Sequence, residues 1–122
     1  MKKSVIMCTC RYTSPELSGI DFNALKDRLH KKFPEEKIFL HPQLCEETGE
    51  NMVNDVKDDD VFYITPACGV EEQQKNITGS FEHAGVYLTK ANWSPVSLVG
   101  LSTEAAFEII KDALMQESEP KE

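Results

Sequence analysis

The sequence has 122 residues, of which 40% are hydrophobic, and this length and composition suit one compact domain with its own core. Its formal net charge of −8 argues against binding to nucleic acid or to an anionic membrane surface, because both attract basic patches. An acidic chain instead suits a basic protein partner, or simply solubility. No apolar run approaches the roughly 20 residues of a membrane span, and the run at residues 5–7 is too short for a signal peptide. We therefore expect a cytosolic protein whose thiols stay reduced.

Short apolar runs alternate with helical spacing along the chain, a pattern typical of an α/β domain. Four short runs predict strands at residues 4–8, 37–41, 61–65 and 86–88. Helices are predicted from a cap at Asp21 to the stop at Pro34, at 44–57, at 71–83 with Gly85 closing it, and after a cap at Ser102. Residues 93–101 are expected to be irregular, apart from a brief extended piece at 96–99.

The order of these elements predicts the architecture. Strands that alternate with helices imply right-handed crossovers and parallel pairing. We therefore expect an α/β fold: a single three-layer domain, residues 1–116, with a roughly four-stranded parallel sheet flanked by helices, followed by an acidic, frayed tail at 117–122. In such open sheets, binding sites form beyond the carboxyl ends of the strands where the strand order reverses, here between the first and third strands.

Four cysteines occupy equivalent positions in this scheme. Cys8 and Cys10 end the first predicted strand, Cys45 follows the second and Cys68 follows the third. Neighbouring strands are about 4.8 Å apart, so the four thiols are expected within the span of one metal or iron-sulfur site. Their spacing matches neither the C-x-x-C pairs of zinc ribbons nor the common ferredoxin runs. Redox-active thiols and four separately buried thiols therefore remain alternatives.

Other motifs add less. His41 ends the second predicted strand and is either a ligand or hydrogen-bond donor of the cysteine site, or an ordinary exposed histidine. Arg11 either stabilises a thiolate or an anionic cluster, or is an exposed loop residue. No cysteine is followed six residues later by arginine, as a phosphatase loop requires, and neither a P-loop nor G-x-G-x-x-G is present. The sequence therefore indicates no nucleotide site.

With the cysteines placed, the chain resembles the amino-terminal domain of the iron-sulfur and flavin subunit of heterodisulfide reductase. The matching segments are short and span nearly the whole chain: Cys8-Thr9-Cys10, Ile20-Asp21-Phe22, His41-Pro42-Gln43-Leu44-Cys45, Thr48-Gly49, Ala67-Cys68, Glu82-His83-Ala84-Gly85, Ala91-Asn92 and the final helix from Glu104. The chain departs from the family pattern after Cys68, where it reads Gly69-Val70-Glu71-Glu72, and has no cysteine at 92–97.

The resemblance implies a 4Fe-4S cluster with Cys8, Cys10, Cys45 and Cys68 as ligands. It also implies electron transfer to or from a redox partner, such as a flavin- or iron-sulfur-containing reductase subunit. Zinc is the expected substitute in an aerobic preparation, since tetrahedral sulfur sites accept either metal. Two other functions fit the residues: a thiol-based redox or sulfur-handling protein that uses Cys8, Cys10 and Cys68, and an interaction module without a cluster.

Overall fold

A computed structural model describes residues 2–9, 15–41, 47–57 and 61–115. The elements in chain order are β1 (Lys2–Cys8), a short 3-10 helix (Pro15–Leu17), α1 (Phe22–Lys32), β2 (Lys37–His41), α2 (Glu47–Val56), β3 (Val61–Ala67), α3 (Val70–His83), β4 (Trp93–Ser97) and α4 (Thr103–Met115). The prediction of a frayed tail at 117–122 falls outside these residues.

The strands form one parallel sheet in the order β2-β1-β3-β4, which confirms the predicted α/β fold with a four-stranded parallel sheet. The chain moves from β1 to β2 in one direction across the sheet, then from β2 through β3 to β4 in the other. Right-handed crossovers place α1 on one face and α2 and α3 on the opposite face. The strand order reverses between β1 and β3, as the sequence predicted.

Two apolar clusters, one on each face of the sheet, join the sheet to its two layers of helices. On one face, alternate strand residues such as Val5 and Met7 pack against α1 and α4. On the other face, Ile6, Cys8 and Tyr63 pack against α2 and α3. Alternation along a strand explains the division, because successive side chains point to opposite faces. Since both faces of β1 and β3 are covered, these strands read in sequence as continuous apolar runs.

The helix ends follow the predicted caps. The Asp21 carboxylate accepts a hydrogen bond from the Ala24 amide at 3.1 Å and begins α1. The Ser102 hydroxyl does the same for α4, with the Ala105 amide at 3.1 Å. Gly85, at φ 88°, ends α3.

The predicted fourth strand at 86–88 is wrong. The Val86 amide donates to the Phe81 carbonyl at 2.8 Å and the Gly85 amide to the Glu82 carbonyl at 2.9 Å. This pair of bonds is the Schellman motif, so the apolar residue after Gly85 closes α3 and does not start a strand.

The fourth strand is β4, at Trp93–Ser97, where the sequence predicted mostly irregular structure because of Pro95. In the register with β3, the Tyr63 backbone amide donates to the Asn92 carbonyl, and the Leu98 backbone amide donates to the Ala67 carbonyl. Even-numbered residues of β4 therefore face β3, and Pro95 turns its nitrogen to the outer edge. An edge strand tolerates proline there because the missing N–H has no ladder partner to lose.

Candidate functional site

Cys8 is the last residue of β1 and is 3% exposed. It belongs to the cluster between the sheet and α2 and α3. Its register partner on β2 is His41, and the ladder continues one residue further, with the Thr9 amide donating to the His41 carbonyl at 3.0 Å. Hydrogen bonds to β2 thus fix the backbone on both sides of Cys8.

Cys68 directly follows β3 and precedes Gly69, the N-cap of α3. It is partly buried and packs against the same cluster as Cys8. Continuing the β1–β3 register from Val5↔Ile64 by three residues sets Cys8 beside Ala67. The structure therefore brings two of the four predicted site residues to one edge and one face of the sheet, on the two strands that flank the reversal of strand order.

The other two predicted ligands, Cys10 and Cys45, lie outside the described residues, as does Arg11. Within the described ranges, no three His, Cys, Asp or Glu side chains converge closely enough to hold a metal ion. The complete ligand set of four cysteines therefore stays a prediction.

Pro66 of β3 limits the backbone hydrogen bonding between β1 and β3 near Cys8 and Cys68. The β1–β3 register runs from Lys2↔Val61 to Val5↔Ile64. In a parallel ladder of this register, the next bond would run from the N–H of residue 66 to the Ile6 carbonyl, and proline has no N–H to donate. Backbone bonding between β1 and β3 is consequently weakened just before Cys8, at the point where an open α/β sheet places its ligands.

His41 is 9% exposed. The interpretation of His41 as an ordinary exposed histidine is therefore wrong. By alternation from Phe39, which packs on the α2 and α3 side, His41 lies on the same face of the sheet as its register partner Cys8. Neighbouring parallel strands are about 4.8 Å apart, so the two side chains project from adjacent positions on this face.

Thr9 contributes a buried hydroxyl on the other face of the sheet. It is 2% exposed, and its Oγ1 has no hydrogen-bond partner in the part of the chain that the structure describes. It continues the side of Val5 and Met7, toward α1 and α4. An unpaired buried hydroxyl costs about 1–3 kcal/mol, so the carboxyl end of β1 carries an unused polar group next to Cys8.

Sequence reasoning missed a buried polar network beside Cys68. Gln73 of α3 is 0% exposed and hydrogen-bonds Thr65, the Cys68 carbonyl and the Val96 carbonyl. Thr65 in turn accepts a hydrogen bond from Trp93. One sequence signal was present: Gln73 lies four residues before Ile77, on the apolar stripe of its helix, where a glutamine must find buried partners.

The charge next to Cys68 is acidic. Glu71 and Glu72 lie in the first turn of α3, where the helix dipole favours carboxylates. The Glu72 carboxylate folds back over the N-cap, so that a Cβ built on Gly69 would meet Glu72 Oε1 at 2.8 Å. Glycine thus leaves room for a carboxylate within one residue of the thiol.

Comparison with known protein families, with curated proteins and with solved structures found no match to this chain. None of the helices in the described ranges combines the length and the apolar character needed to cross a bilayer.

Proposed function

We propose that the protein is a small electron-transfer protein that binds a 4Fe-4S cluster through Cys8, Cys10, Cys45 and Cys68. One observation carries this proposal: Cys8 ends β1 and Cys68 directly follows the adjacent parallel strand β3, on one face of the sheet and at the reversal of strand order. Two thiolates from neighbouring strands are half of the donor set that a cluster requires.

The two remaining proposed donors are close to this edge in sequence. Cys10 follows Cys8 by two residues, and Cys45 lies between His41, the register partner of Cys8, and the start of α2. The resemblance to the amino-terminal domain of the iron-sulfur and flavin subunit of heterodisulfide reductase supports the same four residues as ligands. The donor set, all sulfur, suits iron-sulfur clusters and zinc.

When bound, the cluster would supply one-electron transfer. The role of the chain is then to hold the sulfurs, to exclude water and to set the charge around them. Cys8 lies in an apolar cluster with Ala67 and Tyr63, which restricts solvent on the sheet side. Glu71 and Glu72 add negative charge, which favours the oxidised cluster and lowers its reduction potential.

We further propose that the protein acts in the cytoplasm beside a flavin- or iron-sulfur-containing reductase subunit. The support is the family resemblance and the net charge of −8, which would steer the chain toward a basic surface on such a partner.

Anaerobic purification tests the cluster directly. We expect a brown protein with about four iron and four sulfide per chain and a visible thiolate-to-iron absorption band. Cys8→Ser and Cys68→Ser should each lower the iron content sharply. Ser4→Ala is the matched control, because Ser4 is equally buried in β1, on the face of Cys8 but toward the other end of the strand. A colourless, iron-free protein that cannot be reconstituted would overturn the proposal.

Thiol redox chemistry is the second candidate, and the shared packing of Cys8 and Cys68 favours it as well. Cys68 is the more accessible of the two, since Cys8 is nearly enclosed. Mild oxidation of metal-free protein should then form a reversible intramolecular disulfide, seen as a loss of about two mass units as two thiol hydrogens leave. Persistence of both thiols under these conditions would exclude this function.

A further inference from the structure

A wholly buried glutamine next to the proposed site has partners for both polar atoms of its side chain. Gln73 Nε2 donates to the Cys68 carbonyl at 2.7 Å and to the Val96 carbonyl at 3.0 Å. Gln73 Oε1 accepts from Thr65 Oγ1 at 2.7 Å. One side chain of α3 therefore connects β3, β4 and the residue that follows β3.

The chemistry of the donor and acceptor atoms around Gln73 permits only this orientation of its side-chain amide. Trp93 Nε1 can only donate, so at 2.8 Å it must bond an oxygen lone pair of the Thr65 hydroxyl. The hydroxyl proton is then directed to Gln73, whose Oε1 must face it. The amide NH2 group is left for the two carbonyls, which can only accept. Trp93 thus fixes the orientation of the Gln73 amide through Thr65.

The network restrains the backbone of Cys68 where the sheet no longer does. Cys68 lies beyond the end of β3, and Gln73 ties its carbonyl to Val96 of β4 through a single amide group. The backbone amide of Gln73 itself bonds the Gly69 carbonyl at 3.0 Å as the first turn of α3. The peptide between Cys68 and the helix is held from both sides.

The Gln73 amide also stabilises the fold, because an apolar side chain there would leave the Cys68 carbonyl and the Thr65 hydroxyl without this buried partner. A role in positioning Cys68 therefore has to be tested at the thiol and not by stability. What an apolar side chain cannot supply is a directional bond to the Cys68 carbonyl.

We propose that Gln73 is a positioning residue for Cys68, acting with Thr65 and Trp93 to fix the main chain from which the thiol projects. This inference rests on the proposed role of Cys68 as a ligand. Groups that orient ligands in this way affect metal affinity about 10–100-fold when removed.

The test measures thiol reactivity in reduced, metal-free protein, so that it does not depend on cluster binding. Gln73→Met keeps the volume and removes the amide. We expect Cys68 to react with iodoacetamide about fivefold faster, as loss of one net hydrogen bond implies, while the rate at Cys8 is unchanged; peptide mass mapping separates the two sites. Gln74→Met is the matched control, because Gln74 is the exposed neighbour on the same helix.

A second measurement uses Co²⁺ as the probe of the metal site. Gln73→Met should weaken cobalt binding, followed by the thiolate-to-cobalt charge-transfer band, about tenfold, whereas Gln74→Met should not change it. If Gln73→Met does not fold, Thr65→Val interrupts the same network, and Thr65→Ser, which keeps the hydroxyl, should restore the wild-type rate at Cys68.

Equal acceleration at Cys8 and Cys68 would overturn the positioning role, because it would indicate loosening of the whole domain. No acceleration at either cysteine would also overturn it, because Gln73 would then have no effect on Cys68. A wild-type protein that binds neither iron nor cobalt, combined with selective acceleration at Cys68, would refute the metal site and leave the positioning role intact.

Discussion

Replacement of Thr65 by valine isolates the energy of the buried network, because it removes one hydroxyl and keeps the volume. The side chain of Thr65 is 0% exposed and makes two hydrogen bonds, to Gln73 at 2.7 Å and from Trp93 at 2.8 Å. Gln73 Oε1 would be left buried without its donor, which costs about 1–3 kcal/mol. Trp93 is only partly buried, so water can satisfy its N–H and the loss there is about 0.5–1 kcal/mol.

An opposing gain of about 1 kcal/mol comes from the removal of a buried hydroxyl in favour of a methyl group. We therefore expect Thr65→Val to lower the free energy of unfolding by about 0.5–3 kcal/mol. Thr65→Ser keeps both hydrogen bonds and loses one buried methyl group, at about 1 kcal/mol. The losses expected for Thr65→Val and Thr65→Ser overlap. The stabilities of these two single variants therefore do not separate the contribution of the hydroxyl from that of the methyl group.

A double-mutant cycle separates them. In Thr65→Val with Gln73→Met, both partners of the 2.7 Å bond are apolar, so the combined loss should fall short of the sum by about 1 kcal/mol or more. Urea unfolding followed by circular dichroism and by the emission of Trp93, the single tryptophan, gives the four free energies. Strict additivity, or a Thr65→Val protein as stable as wild type, would refute the network energetics.

Three further perturbations test contacts that hold the helices. Asp21→Ala removes the α1 cap and should cost about 1 kcal/mol in urea unfolding, with Asp21→Asn close to wild type. Lys3→Met removes the ammonium bonded to the Leu114 carbonyl at the end of α4 and should cost about 0.5–1 kcal/mol. Arg28 donates a hydrogen bond to Glu104 at 2.6 Å, and this bond together with its positive charge lowers the pKa of Glu104. Wild-type protein should therefore have a higher free energy of unfolding than Glu104→Gln at neutral pH, and the difference should vanish as acid protonates the carboxylate. Added salt should also reduce the difference. A stability difference that grows in acid would contradict the last prediction.

Much of the fold was predictable because local chemistry and tertiary packing agree. The second strand, at residues 37–41, is confirmed at both ends, and Asp21, Gly85 and Ser102 act as the sequence indicated. These signals depend on a few neighbouring atoms: a carboxylate or hydroxyl that bonds a nearby amide, or a positive φ that glycine adopts without strain. Alternation of strands and helices then left parallel pairing as the consistent topology.

Other features depended on packing that periodicity does not encode. Val70 and Ile109 are apolar and lie in helices, yet they are 38% and 40% exposed, because each lies at the margin of the apolar stripe of its helix. Phe107 of α4 is buried, with Arg28 4.0 Å above its ring. Pro95 was expected to break a strand, but only the register shows that its nitrogen faces the open edge.

The candidate site also combines features that the sequence predicts with features that depend on tertiary packing. The positions of Cys8 and Cys68 at the carboxyl ends of adjacent strands follow from strand boundaries and parallel topology alone. The Gln73 network could not be deduced, because the sequence shows a glutamine on an apolar stripe but not which carbonyls it reaches. Burial of His41 likewise depends on the cover that α2 and α3 give to this face of the sheet.

The two described cysteines are fixed by different strand pairs. Cys8 is held by the ladder to β2 through His41, and Cys68 is held to β4 through Gln73 and Val96. Between the pairs, Pro66 interrupts the β1–β3 ladder. The separation of the two thiols therefore depends on side-chain packing around Ala67 more than on backbone hydrogen bonds. A ligand that joined both sulfurs would connect the two halves of the sheet at their least bonded point, so binding should raise the stability of the whole domain through linkage.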